Sequence, residues 1–446
     1  MIGLKNDFPT STLAEWKIQL EKELKGADFS VLGRTDLIEE LEYQTFHHSE
    51  SGEIASETPG SFPFTRGFQP RSNEWNIGQE IVVNDAKIAN EKALSLLMKG
   101  CNYLRFHFDE RQPINLSETF KDIQFEYIHA SFIIQSIAQF QAFETYFNHS
   151  FPISIRFSID AQSITSECFD YIADKAKTKQ FIFCHINGFA LQQTGATTWQ
   201  EIAYCIAEGH ERIVALLERG FTIDQATACL QFSFGIGSNY FFEISKIRAF
   251  RSTWSKIIQA YQPIHSCSYN CEITAEIGHV NKSLKDPYTN FLRQTTEAMA
   301  ACSAGVTNLI VHPYDAIAQN KTALAERMAI NVSLIIKEES YFDSVIDPLG
   351  GSYAIEFITQ QIENKAWNLF QEIEKLAGIT STDALEMLKS KVTAKANARI
   401  QALKENKNTL IGINKFHLTS EEENTIIVSK TFIGLPYLQL ENLLTN

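Results

Sequence analysis

From about residue 100 onward, short β-rich runs alternate with long amphipathic helical runs, and this alternation constrains the fold more than any other feature of the chain. The strand candidates are 102–108, 125–131, 152–158, 180–186, 230–234, 264–270, 307–312 and, less clearly, 343–347. Helical periodicity fits 85–99, 132–147, 164–176, 199–219, 239–261, 285–303, 316–338, 354–377 and 382–404. Strands that alternate with helices form a parallel sheet covered by those helices. Eight repeats over roughly 300 residues fit an α/β fold of the (β/α)8 TIM-barrel kind better than an open sheet, because such barrels run to about 250 residues before insertions.

The flanks have a different character. Residues 12–25 place Leu13, Trp16, Leu20 and Leu24 on one helical face, with Thr12 and Glu15 at capping-box spacing and Gly26 positioned to end the helix. The stretch from 27 to 75 mixes acidic residues, Ser, Gly, Pro and isolated aromatics, which reads as an extended segment lying on another surface. The expected organisation is an N-terminal arm over 1–75, a barrel over 76–405 and a polar tail over 406–446 carrying Glu421, Glu422 and Glu423, with no further domain.

A formal net charge of -14 argues against nucleic acid and anionic membrane as partners, since phosphate would be repelled. The eight cysteines are scattered singly through apolar stretches and look like reduced thiols. No run approaches the roughly 20 apolar residues of a membrane span, and Met1–Asp7 has no leader-like apolar core. The expectation is a cytoplasmic protein whose partners are small molecules or other proteins.

Barrel active sites lie at the C-terminal ends of the strands. His107 and Asp109, Asp160, Asn187, and His312 with Asp315 fall there, and such groups converging on one mouth could serve acid–base chemistry, although any barrel exposes some polar residues at that end. His265, Cys267, Cys271 and His279 include one Cys-x-x-x-Cys spacing but lack the paired spacing of a zinc module, so no metal is expected. Gly235-Ile236-Gly237-Ser238-Asn239-Tyr240 begins like a dinucleotide fingerprint, then lacks the third glycine and the later acidic residue; a tight strand-to-helix turn explains it better. Asp347-Pro348-Leu349-Gly350-Gly351-Ser352-Tyr353 describes a loop with a demanding backbone path ahead of a helix.

Four segments resemble the substrate barrel of the methylmalonyl-CoA mutase family. They are Asp7-Phe8-Pro9 through Asp28; Gly195-Ala196 through Arg248-Ala249; Arg293 with Glu297-Ala298-Met299-Ala300-Ala301; and Glu339-Ser340 through Trp367, followed by Leu410-Ile411-Gly412-Ile413-Asn414-Lys415. Catalytic members of that family use adenosylcobalamin, and the resemblance implies the reactive positions. Where they read Gly-Tyr-His-Met-Gln, this chain has Gly188-Phe189-Ala190-Leu191-Gln192. Where they read Trp-x-Ile-Arg-Gln-Tyr, it has Trp75-Asn76-Ile77-Gly78-Gln79-Glu80, and an Arg-Thr-His-Ser run aligns with Thr274-Ala275-Glu276-Ile277. Losing one positioned donor to a developing charge typically costs about 10²–10³ in rate.

Gly78, Glu80, Phe189, Ala190 and Thr274 therefore stand where the family's reactive side chains would be, and Glu80 and Glu276 would repel an acidic substrate. The resemblance implies a small, non-catalytic subunit, inactive alone, that binds no cobalamin and pairs with a large subunit carrying adenosylcobalamin; the isolated chain could also form a homodimer. Gln192 and Glu339 remain as substrate-pocket remnants. Two alternatives stay open at this point: a catalytic acyl-CoA mutase barrel with its cobalamin domain supplied in trans, and a hydrolase or lyase using His107, Asp109 and His312.

Overall fold

The computed structural model describes residues 11–27, 32–50, 57–108, 114–160, 165–318, 322–416 and 430–441. Eight parallel strands close into one barrel: β1 (Asn76–Val83), β2 (Tyr103–Phe108), β3 (His129–Ile133), β4 (Ile155–Asp160), β5 (Ile182–Asn187), β6 (Leu230–Ile236), β7 (Glu272–Ile277) and β8 (Asn308–Ile310). They pair in chain order, and β8 returns to β1 in register Asn308↔Asn76, Leu309↔Ile77, Ile310↔Gly78.

Six of the expected strands overlap observed ones, and two do not. The 264–270 run holds the 3-10 turn Ser266–Tyr269, with the strand itself shifted to Glu272–Ile277. The 343–347 run holds a second such turn, Phe342–Ser344. The eighth strand is instead β1, at the very start of the expected barrel. The long helical patterns all appear, among them Thr198–Glu218, Tyr240–Ala260, Pro287–Ser303, Tyr353–Lys375 and Thr382–Lys404. The 316–338 pattern starts later, at Ala323, and finishes as a π-helical turn, Ile335–Glu339.

The outward faces of β2 to β4 carry Phe106, Phe132 and Phe157, which meet Phe140 and Phe143 of the helix Ile137–Tyr146. Ring centroids lie 4.6 Å apart for Phe132–Phe143 and 5.0 Å for Phe140–Phe157, in tilted and edge-on arrangements that suit the ring quadrupoles. The Asp347 loop is a clamp. Asp347 accepts hydrogen bonds from Arg248 and, at 2.9 Å, from Arg66, while Glu356 accepts from Arg248 at 2.6 Å and from the Gly351 amide at 2.9 Å. A Cβ at Gly350 would fall 2.1 Å from Asp347 Oδ2, so that position has no room for a side chain.

The arm helix Leu13–Glu23 has its capping box, and Trp16 stacks on Phe46 with centroids 3.9 Å apart. Its apolar stripe is only half-buried, and no residue of the helix is fully buried. At the other end of the chain, the described segment 430–441 folds back on the barrel. Glu441 accepts from the amides of Leu284 at 2.7 Å and Lys285 at 3.0 Å, and Leu438 donates to Gln193 O at 2.7 Å. Glu421, Glu422 and Glu423, like the Asp7-Phe8-Pro9 motif, lie outside the described residues. Glu441→Gln is expected to cost about 1.5–3 kcal/mol, the usual worth of hydrogen bonds to a charged group, read as a lower urea midpoint with an unchanged slope. No helix among the described residues is long and apolar enough to cross a membrane.

Candidate functional site

The pairing register decides what faces the lumen, because alternate residues of each strand point inward. Its lower end is a ladder of paired polar groups. Asn76 Nδ2 donates to Asn308 Oδ1 at 2.9 Å, Asn308 Nδ2 donates to Thr274 Oγ1 at 3.0 Å, and Arg156 grips Glu272 through Nε at 2.7 Å and Nη2 at 2.7 Å. Thr274 is thus a buried acceptor in this ladder. Midway up, Gly78 lies between Tyr103 and Ile310 in register. A Cβ on Gly78 would be 2.7 Å from the Tyr103 ring and 2.8 Å from Ile310 Cγ1, so these two side chains fill the space that a larger residue would need.

Above this plug runs a chain of charges. Arg105 Nη1 donates to Glu276 Oε1 at 2.6 Å and to Glu80 Oε1 at 3.0 Å. His107 Nε2 stands 3.2 Å from the same Glu80 oxygen, and His312 Nε2 stands 3.7 Å from Glu276 Oε2. Burial works against the charge on Glu80, but His107 and then His312 and Arg105 hold its carboxyl well below the usual range. Glu276 is likewise buried and is held down by Arg105 and His312. The two carboxylates are therefore partners of Arg105 rather than free repulsive charges, which corrects the expectation for them. Arg105 was legible in principle, since Tyr103, Arg105 and His107 share one face of a period-2 strand.

Phe189 follows β5 on the short helix Gly188–Gln193 and leans over this chain, its ring centroid 6.0 Å from that of His312 and 6.2 Å from that of His279. Ala190 beside it is buried. Asn187 caps that helix by accepting from the Ala190 amide at 3.0 Å. Asp315 accepts from the amide and hydroxyl of Thr322, a capping role outside the lumen chain. Asp109 lies outside the described residues, and only the backbone of Asp160, at the end of β4, is described. Structure thus brings Gly78, Glu80, Phe189, His107 and His312 around one mouth. It does not bring Glu339 there, for that residue is exposed on the outer π-helical turn whose Lys337 lies over Trp75.

Other motifs separate in space. Cys271 precedes β7 and His279 follows it, so six residues of strand, about 20 Å, divide the set that suggested zinc. Among the described residues no group of three or more His, Cys, Asp or Glu is placed to hold a metal ion. The Gly235–Tyr240 turn is packed rather than open: a Cβ on Gly235 would meet Gln192 Oε1 at 2.6 Å, and Asn239 caps the following helix. Gln192 itself lines a cavity of about 380 Å3 beside the mouth, between the strand-end turns, the Asp36–Glu39 hairpin and residues 399–411.

Burial lowers the pKa of His185 to about 3, with Arg105 adding to the effect, while its ring nitrogen lies 3.0 Å from Ser233 Oγ. Burial and His312 push His279 down as well. An unfolded histidine takes up its proton near 6.5, so these groups favour the folded state above that pH and oppose it as the pH falls from about 6.5 toward 3. The urea midpoint is expected to fall across this window, and to fall less steeply in His185→Gln.

A family model described as methylmalonyl-CoA mutase matches residues 141–432. The chain is 31% identical, over 93% of its length and 71% of the relative's, to the methylmalonyl-CoA mutase small subunit of Porphyromonas gingivalis. It is 32% identical to the methylmalonyl-CoA mutase of Rhizobium meliloti over 59% of this chain and 37% of that one. The human mitochondrial methylmalonyl-CoA mutase is also 32% identical, over 59% of this chain and 35% of that one. The chain therefore spans about a third of the longer relatives.

Proposed function

Because this chain belongs to the methylmalonyl-CoA mutase family, we propose that it is a non-catalytic small subunit that pairs with, and stabilises, a catalytic large subunit interconverting methylmalonyl-CoA and succinyl-CoA. The observation that carries this reading is the filled lumen, where Tyr103 and Ile310 close on Gly78 and Arg105 is held between Glu80 and Glu276. An arginine free to meet a substrate carboxylate, and a channel for an acyl-CoA tail, are both missing from that arrangement. The residues present do not fit an adenosylcobalamin reaction centre either, since the groups facing the mouth are a phenylalanine, buried Ala190 and carboxylates already paired within the chain. In this reading adenosylcobalamin belongs to the large subunit.

The same filling counts against a catalytic barrel completed in trans. A hydrolase centred on His107 and His312 is disfavoured because each imidazole sits against its own carboxylate, on either side of Arg105. For pairing, the half-buried stripe of the arm helix and the Trp16–Phe46 stack offer an apolar surface that a partner subunit would cover. Cytoplasmic residence is part of the proposal and is supported by eight free cysteines, most of them buried. Co-expression with a tagged large subunit tests the pairing. Recovery of both chains in equal amounts through size-exclusion chromatography is the expected outcome, and recovery of the large subunit alone would reject it.

A further inference from the structure

We infer that the cavity of about 380 Å3 beside the barrel mouth binds a small zwitterion, a molecule of amino-acid size with a carboxylate at one end and a primary ammonium at the other. The volume lies in the range of small-molecule sites, and three distant parts of the chain converge to wall it, as such sites require. What selects the ligand is the distribution of charge among the lining residues.

Two of the three basic side chains there are already matched. Arg399 Nη2 donates to Glu39 Oε1 at 2.6 Å, and Lys246 Nζ lies 2.7 Å from Glu201 Oε2 and 2.5 Å from Glu243 Oε2. Arg293 differs. Its hydrogen bonds go to neutral acceptors, Asn290 Oδ1 at 2.7 Å and Ile411 O at 2.6 Å, and among the described residues no carboxylate stands within ion-pair distance of it. Burial correspondingly pulls its guanidinium below its ordinary pKa. A half-buried cation without a counter-ion is costly, and a ligand carboxylate would supply one.

The opposite surplus comes from another helix. Glu201 and Glu243 share the single ammonium of Lys246, leaving one carboxylate in excess, and burial with Glu243 nearby pushes Glu201 up to about 8 despite Lys246. Glu243 Oε1 reaches within 3.0 Å of where a Cβ on Gly237 would be, so it approaches the turn that lines the cavity. Gln192, Ser238, Asn408 and Thr409 add neutral polar groups to the wall. A simple anion would satisfy Arg293 but meet the surplus carboxylate, and a simple amine would do the reverse. A molecule with both ends satisfies both.

Calorimetry on the full-length chain with a panel of α-amino acids, together with the matching acids that lack the amine and amines that lack the carboxylate, tests this. At least one amino acid is expected to bind at millimolar concentration or better, with each one-ended analogue weaker by about tenfold or more, the loss of one charge-assisted contact. Glu243→Gln is expected to weaken that binding similarly. No binding by any amino acid, or equal binding by a one-ended analogue, would overturn the inference, and that comparison uses the unaltered chain and so holds even if the variant fails to fold. Because it needs no large subunit, it succeeds or fails independently of the subunit assignment.

Discussion

Replacing Lys246 with methionine is expected to lower the unfolding free energy by about 3–5 kcal/mol, the range found when one side of a buried ion pair is removed. Lys246 has no exposed side-chain surface, and its ammonium holds Glu201, Glu243 and the carbonyl of Gly235 at once. Without it, two buried carboxylates face each other beside an unpaired carbonyl. Glu201 also accepts from the Gly235 amide at 2.7 Å, so the disturbance would pass directly into β6. If uncompensated charge is the cause, the triple variant Lys246→Met, Glu201→Gln, Glu243→Gln should be more stable than the single one. Urea unfolding of the three proteins gives the comparison.

A second large effect is expected at Gly78. Adding only a methyl group, in Gly78→Ala, places a Cβ 2.7 Å from Tyr103, 2.8 Å from Ile310 and 3.1 Å from the carbonyl of Leu309. Overpacking of this kind costs about 1–3 kcal/mol. Gly78→Arg, the family-type residue, adds a guanidinium to the same closed space and is expected to exceed that range or prevent folding. Trimming a neighbour, as in Gly78→Ala with Tyr103→Ala, should recover part of the loss that Gly78→Ala alone incurs, because the strain is steric. The replaced reactive position is thus built into the packing, and restoring one side chain would not restore a pocket.

The strands that sequence pattern missed explain themselves in these terms. β1 and β7 read poorly because their inward faces carry Asn76, Gly78 and Glu80 in one case and Glu272, Thr274 and Glu276 in the other. Such residues have low β-propensity and look like loop when their partners are unknown. Their partners, Arg105, Arg156 and Asn308, come from other strands, and no local period announces an ion pair across a lumen. The helices were legible throughout because a helix packed on a barrel keeps one apolar face, and the strands β2 to β4 because phenylalanine lines their outer faces. The role of Glu441 was not legible, since it rests on backbone amides far away in the chain.

Family positions showed the same split. Gly78, Glu80 and Phe189 were placed at one mouth by resemblance alone, and the fold brings them there. The resemblance could not show that Glu80 and Glu276 neutralise Arg105, because Arg105 matches no motif used to recognise the family. Glu339 lay within the most recognisable motif and yet stands on the outer surface, since that segment is retained around the buried Trp75 indole, which donates to Ser333 Oγ at 2.9 Å, and the Asp347 clamp.

The most direct test is turnover of methylmalonyl-CoA by the reconstituted pair when the large subunit's own reactive tyrosine and histidine have been replaced and adenosylcobalamin is supplied. A barrel whose lumen is closed at Gly78 and charge-paired at Arg105 predicts no succinyl-CoA above background from that pair, while the pair with an unaltered large subunit is active. Succinyl-CoA formed by the disabled pair would place catalysis in this chain and contradict the account.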